Sequence, residues 1–335
     1  MSIDFDINSL TDYEKERLIT VLQASIGASS RNEGKLVKDI RETKFSEGFC
    51  CPICGSKEVV RFGSYNNHQR YRCKACGKTF SDFTNTPLSR TRFPQKWIPF
   101  VECMLKGYSL RKSAEIVGVS YVTLFYWRHK LLSALTESGV EAFSGIVEMD
   151  ETYFLKSEKG EKHLKNRKPR KRGGVSALRG ISHEQVCVLV ARDRNKNTVS
   201  KVSCLGRIQT EKVDRLVGSL LSPSNVLCTD AWRAYKTYAV SKGVEHYGLK
   251  DRHVLKGIYH IQNVNSYHAR LKKWMDRFNG VASKYLDNYL AWFKFLDSKG
   301  FEDNKAILGE MIVESCLHST RETNDSLRSR KFMVA

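Results

Sequence analysis

The chain has 335 residues, 41% of them hydrophobic and 27% charged, which excludes a disordered chain and leaves room for two or three domains. No run of 18 apolar residues is present, and the acidic opening MSIDFDINSLTDYEKERL lacks the apolar segment of a secretory signal. No membrane contact and a cytoplasmic location are therefore expected. Lys and Arg outnumber Asp and Glu by 56 to 36, and the surplus of +20 points to a polyanion as partner, because neutralising phosphates releases condensed counterions.

Residues 8–24 read as a capped amphipathic helix, with Leu10, Leu18, Ile19 and Leu22 at helical spacing, and a second, basic helix is expected over 34–43. Periodicity is then lost between 49 and 83, where Cys51-Pro-Ile-Cys54-Gly and Cys73-Lys-Ala-Cys76-Gly stand 18 residues apart. A two-residue gap lets both thiolates of a knuckle reach one ion at about 2.3 Å, with Gly55 and Gly77 making the turn behind each. Four thiolates without a histidine form a closed structural Zn²⁺ site; redox dithiols or core cysteines are the competing reading. Cys50 is a spare thiol, and the Cys-Pro-x-Cys-Gly spacing selects Cys51. Around the second knuckle, Arg70, Tyr71, Arg72, Lys74 and Lys78 form a basic, aromatic surface suited to nucleic acid.

Helical patterning returns over 93–136. In SLRKSAEIVGVSYVTLFYWRHK (109–130), Ala114 permits close approach, Gly118 makes a turn and Ser120 opens a second helix. A helix-turn-helix of this kind would set Tyr121, Thr123, Tyr126 and Arg128 in the major groove. A purely structural helical hairpin fits the same pattern.

From 141 the texture becomes α/β. Strands are expected at 145–149, 186–193, 198–205 and 225–229, with helices at 209–221, from 231, at 263–276 and at 282–297. Asp150 and Asp230 each end an apolar strand. Carboxylates at adjacent strand ends can bridge divalent cations about 3.5–4 Å apart, although aspartates after strands are also common turn formers. Residues 156–172 hold nine bases and two acids, ending in Arg170, Lys171 and Arg172. Such a run is a solvated loop by default and a DNA-backbone clamp when it borders an active site.

The order of these fragments resembles the insertion-sequence transposases of the DDE superfamily that carry an N-terminal zinc ribbon. The resemblance rests on CPxCG with YRCKACGKTF, MDETYF (149–154), TDAWRAY (229–235) and HIQNVNSYHARLKKW (260–274), and covers roughly 46–297. It implies a multidomain α+β chain: a helical segment (1–45), a zinc ribbon (46–86), a helix-turn-helix (87–140), an α/β RNase-H-like catalytic domain with a mixed sheet (141–300) and a tail (301–335). The family's first two carboxylates map onto Asp150 and Asp230, which would hold catalytic Mg²⁺ or Mn²⁺. The third usually opens the following helix, five residues after a histidine; counting from His260 places Asn265 there, with the family's trailing base at Lys272. Asn offers a carbonyl oxygen without charge, so metal affinity should fall unless another acid compensates. Glu151, beside Asp150, is the nearby acid that could compensate unless strand-end alternation turns it away, while Glu148 shares the parity of Asp150 one step deeper. His260 and His268 are read equally as caps, packed groups or DNA ligands.

The resemblance further implies a nucleoid-associated enzyme that binds double-stranded terminal inverted repeats, cleaves them and joins them to target DNA. It also implies at least a dimer, because two ends must be paired. An inactive domesticated transposase serving as a regulator is the alternative, with Asn265 as the lesion. A zinc-ribbon RNA-binding protein accounts for the charge but not for the helix pair.

Overall fold

The computed structural model describes residues 11, 15–16, 34–46, 48–65, 68–161, 163–164, 167–169, 174–250, 254–301, 304–318 and 320–334. The helix expected over 8–24 lies almost wholly outside them, as do Arg170, Lys171 and Arg172. The chain divides into two compact units, Met1–Leu124 with Asn304–Arg321, and Phe125–Asp303 with Glu322–Ala335.

In the first unit, helix α1 (34–44) buries Leu36 and Ile40. Its Arg41 grips the buried Asp82 through two bonds of 3.1 and 2.7 Å, a bidentate pairing that suits the planar guanidinium. Strands β1 (Val59–Tyr65), β2 (His68–Cys73) and β3 (Thr79–Ser81) form an antiparallel sheet in the order β1-β2-β3. Its small core gathers Cys51, Tyr71, Cys73 and Phe80, with Phe45 and Phe49 packed against it. Such a core is too small to hold a three-stranded sheet unaided, which is where four convergent cysteines matter.

Three helices follow: α2 (Trp97–Leu105), α3 (Leu110–Val117) and α4 (Tyr121–Leu135). The Ser109 side chain caps α3 by accepting from the Lys112 N–H at 3.2 Å, and Gly118 ends it in the left-handed region at φ 65°. The turn at Gly118 is the one read from the sequence. Lys96 donates to the Gly118 carbonyl at 2.8 Å, tying α2 to this corner.

The expected 301–335 tail is not a tail. Helix α9 (Asn304–Leu317) packs on α2 in the first unit, burying Ile307, Met311, Ile312 and Cys316. The short α10 (Asn324–Ser329) belongs to the second unit and opens with a Thr323–Ser326 capping box.

The second unit is built on a five-stranded sheet in the order β6-β5-β4-β7-β8, comprising β4 (Ile146–Leu155), β5 (Gln185–Asp193), β6 (Thr198–Leu205), β7 (Val226–Asp230) and β8 (Glu245–Leu249). Strands β6, β5 and β4 are antiparallel neighbours, whereas β7 and β8 run parallel to β4, so the sheet is mixed as expected. β8 (EHYGL) was absent from the sequence reading: it is a polar edge strand with a glycine, far from the apolar pattern of its neighbours. Helices α5 (Thr210–Val217) and α6 (Arg233–Lys242) cover one face, where Val147, Met149, Leu189, Ala191, Val213, Val217, Tyr235 and Tyr238 pack together. Helices α7 (Gln262–Asp276) and α8 (Leu286–Lys299) cover the other. With both faces covered, β5 is buried along nearly its whole length, which explains the unbroken apolar run VCVLVA.

Two glycine substitutions should move stability in opposite directions. Gly118→Ala forces a side chain into a left-handed residue and should cost about 1 kcal/mol. Gly309→Ala, within α9 and with open space around the new methyl, should gain about 0.5–1 kcal/mol. Thermal unfolding of each variant checks the pair, and equal shifts would contradict the assigned backbone conformations.

Candidate functional site

Two clusters of possible metal ligands stand out among the described residues. The first is Cys51, Cys54, Cys73 and Cys76, whose sulfurs all lie within 4.8 Å of one another. Cys51 Sγ is 3.8 Å from Cys76 Sγ, and Cys54 Sγ is 3.6 Å from Cys73 Sγ. Disulfides need about 2.05 Å. Four sulfurs placed tetrahedrally at 2.3 Å from one ion stand about 3.8 Å apart, so the donor set and the spacing both fit Zn²⁺. Gly55 (φ 77°) and Gly77 (φ 70°) make the left-handed turns, with their N–H groups on the Cys51 and Cys73 carbonyls. Cys50 lies outside the group, as the spacing argument required.

The second cluster is Asp150, Glu151 and Asp230, each offering a carboxylate oxygen within the same 4.8 Å limit. The register explains the first two partners: Met149 pairs with Thr229 across the parallel β4–β7 ladder, which makes Asp150 and Asp230 neighbours. Glu151 belongs to the opposite face by alternation, yet its carboxylate joins the cluster. The β4–β7 pairing ends at Met149, so beyond it β4 has an open edge around which the longer side chain reaches. Of the two orientations the sequence left open for Glu151, the one that brings its carboxylate to the aspartates is observed.

Burial dominates the electrostatics. It pushes the Asp150 carboxyl up to about 6; the Glu151 N–H and Lys272 oppose the rise and the Asp230 charge adds to it. It pushes Glu151 up to about 7, against the pull of the adjacent Tyr235 hydroxyl and with help from both aspartates. Two carboxyls held near neutrality at one strand end, with no Lys or Arg in ion-pair contact among the described residues, are suited to receive a positive ligand.

α7 supplies the opposite wall. His268, buried in the α7 interface, has its Nδ1 3.7 Å from Asp150 Oδ2, and burial holds its pKa down at about 4. It is a neutral packed group rather than an ion-pair partner. Residues 265, 268 and 272 follow one helical stripe, so Asn265 and Lys272 share the flank that His268 turns to Asp150, and both are exposed. On the other flank, a cavity of about 380 Å³ is lined by Arg192, Arg194, Lys196 and Arg270 among others. Its arginines are largely spent internally, Arg192 and Arg270 on Asp297 and Arg194 on Glu148.

The expected DNA-facing residues divide. Arg72 and Lys74 are exposed on the ribbon, Arg70 is half-buried with a bond to Thr79, and both arginines stack over the exposed Phe62. Tyr121 is 51% exposed and Thr123 half-buried at the start of α4. Arg128 and Tyr126 do not belong with them. Arg128 is 5% exposed with its guanidinium over Trp292, and Tyr126 is buried with its hydroxyl bonded to Arg328. The reason is length: α4 runs to Leu135, and its second half is core.

A mixed sheet carrying an acidic cluster at adjacent strand ends, beneath a helix that presents Asn265, His268 and Lys272 along one stripe, defines an α/β domain with a candidate cation-binding centre. Residues 142–296 match the family model described as the ISXO2-like transposase domain. Over 275 residues the chain is 29% identical to a protein in transposable element ISH50 of Halobacterium salinarum, covering 79% of this chain and 90% of that one. It is 24% identical to the 48.3 kDa protein of insertion element ISM1 from Methanobrevibacter smithii, over 46% of this chain and 45% of that one. A solved Mos1 transposase in a pre-cleavage transpososome is 11% identical over 65% of this chain and 76% of that one; its TM-score of 0.23 carries no argument. Over residues 142–296 the chain is thus similar to the ISXO2-like transposase domain, and over most of its length to a protein of an insertion element.

The cysteine cluster yields a direct test. Elemental analysis should find one zinc per chain, lost in the Cys51→Ser/Cys54→Ser variant and kept in Cys50→Ser. Zinc retained by the double variant would overturn the ligand set.

Proposed function

We propose that this chain is a DNA transposase that binds the terminal inverted repeats of its own element, cleaves them and joins their 3′ ends to target DNA. The observation that carries the reading is the gathering of Asp150, Glu151 and Asp230 opposite the Asn265–Lys272 stripe of α7. In this reading the three carboxylates hold Mg²⁺ or Mn²⁺, which would supply Lewis-acid polarisation of a phosphodiester. Glu151 supplies the negative charge that Asn265 lacks. Asn265 offers a neutral oxygen at the rim, and Lys272 presents a cation to the DNA backbone. The domain is RNase-H-like in this account, with β4 and β7 as the acid-bearing strands.

The ribbon and the helices up to α4 hold the DNA ends, through Arg70, Arg72, Lys74, Tyr121 and Thr123, while the 156–172 loop with Arg170, Lys171 and Arg172 clamps the backbone. Pairing two ends calls for at least a dimer on DNA, in a cytoplasmic, nucleoid-associated protein. A decayed, purely regulatory descendant is disfavoured, because three crowded carboxylates have no structural use that would retain them.

Asp150→Asn and Asp230→Asn should each lower cleavage of the element's own terminal DNA in Mg²⁺ by at least about 10²-fold with DNA affinity retained, since stabilisation of this kind is worth several kcal/mol. Glu151→Gln should show a loss that rising Mn²⁺ partly recovers, and Asn265→Ala a smaller one. Gel-based cleavage and binding assays provide the check; strand transfer at the wild-type rate by Asp150→Asn would sink the assignment.

A further inference from the structure

Glu148 is the one acid of the 148–151 segment that is wholly shielded from solvent. It lies on the α7 side of β4, two residues before Asp150, and its polar neighbours come from three separate places in the fold. The Arg194 guanidinium, in the turn between β5 and β6, stands 2.6 Å from its Oε1. The Asn263 side-chain amide, in the first turn of α7, donates to the same oxygen at 2.7 Å. The Val264 backbone N–H donates to Oε2 at 3.0 Å. His260 Nδ1 lies 3.3 Å from Oε1, and Arg194 donates onward to the Ile258 carbonyl at 2.9 Å, so the segment leading into α7 is held by the same group.

This arrangement answers a local deficit. A helix leaves its first N–H groups without partners, and α7 has no capping side chain at Ile261. Glu148 replaces the missing cap from the neighbouring strand, and its negative charge sits where the helix dipole is positive. Asn265 follows directly after the captured Val264 N–H, and His268, one turn on, rests against Asp150. The helix is a rigid rod, so fixing its first turn on β4 fixes the height of every later residue above the acids.

We propose that Glu148 is a positioning residue: it sets the register of α7 on β4 and thereby holds the Asn265–Lys272 stripe opposite Asp150 and Asp230. It touches neither substrate nor cation. The inference rests on the reading of the acidic cluster as the transposase centre, and a displacement of about 1 Å in such a site is enough for a 10²-fold loss.

The test pairs hydrogen exchange with single-turnover cleavage in full-length protein. In Glu148→Gln, an isosteric change with one acceptor fewer, amides 263–266 should exchange at least tenfold faster while those of β5 keep their protection. Cleavage of terminal DNA in Mn²⁺ should fall by about 10²-fold, with DNA affinity within about threefold of wild type. Because Glu148 acts through the stripe, the Glu148→Gln/Asn265→Ala double variant should be within about threefold of the slower single variant. Losses that multiply, unchanged exchange at 263–266, or exchange that rises equally in β5 would each overturn the proposal. Should Glu148→Gln fail to fold, Asn263→Ala removes a single bond from the exposed side and should show the same exchange signature in milder form. Should the wild-type protein cleave no DNA, the functional reading fails, and the exchange measurement alone decides the clamp.

Discussion

Carboxylates crowded beside one another repel and lose hydration, and the second unit concentrates four of them, the buried Glu148 and the half-buried Asp150, Glu151 and Asp230. Two different solutions operate within a few ångströms. Glu148 is compensated from within, by an arginine, an amide and a backbone N–H. Asp150 and Glu151 are left with proton affinities raised to about 6 and 7. A rise from 3.8 to about 6 corresponds to roughly 3 kcal/mol for Asp150, and the Glu151 penalty is of similar size; the two overlap because each counts the other's charge. Balancing one acid so thoroughly while its neighbours keep raised proton affinities is the pattern that the proposed cation site calls for.

The sheet makes this possible. β4 is flanked by the buried β5 on one side and by β7 on the other, and the register with β7 brings two aspartates side by side where that ladder ends. The same ending opens the edge that admits Glu151. Glu151 stays beside Tyr235 of α6, and its carboxylate reaches the two aspartates past the end of that ladder. In the proposed site the neutral Asn265 and the third carboxylate would be two sides of one arrangement, with the charge missing from α7 supplied by β4.

Much of this was legible in the residues. Gly and Cys spacing located the knuckles, apolar runs located β5, β6 and β7, and Asp150 and Asp230 were marked by their place after apolar strands. What was missed has physical causes. Glu151 was left open, because alternation places it on the face opposite Asp150, whereas its longer side chain still brings the carboxylate to the two aspartates at the strand end. Arg128 and Tyr126 were assigned to a DNA surface because their residue types suit one, but a fifteen-residue helix buries its second half. α9 carried a readable signal in Ile307, Met311, Ile312 and Cys316, whereas polar β8 carried almost none. The role of Glu148 was beyond reach, since its partners lie 46, 115 and 116 positions away.

The central claim is that Asp150, Glu151 and Asp230 form a cation site kept under electrostatic strain. The raised proton affinities of Asp150 and Glu151 mean that the native state binds more protons than the unfolded chain between about pH 4 and 7, so cation-free stability should fall as pH rises through that window. The most direct measurement is the thermal midpoint of the zinc-replete protein at pH 5 and pH 7.5, with and without millimolar Mn²⁺, for wild type and Asp150→Asn. The account predicts that Mn²⁺ raises the wild-type midpoint by several degrees at pH 7.5 and much less at pH 5. It also predicts that Asp150→Asn is the more stable protein without Mn²⁺ and barely responds to it. An equal Mn²⁺ response in both proteins, or a cation-free wild type more stable than Asp150→Asn at pH 7.5, would contradict it.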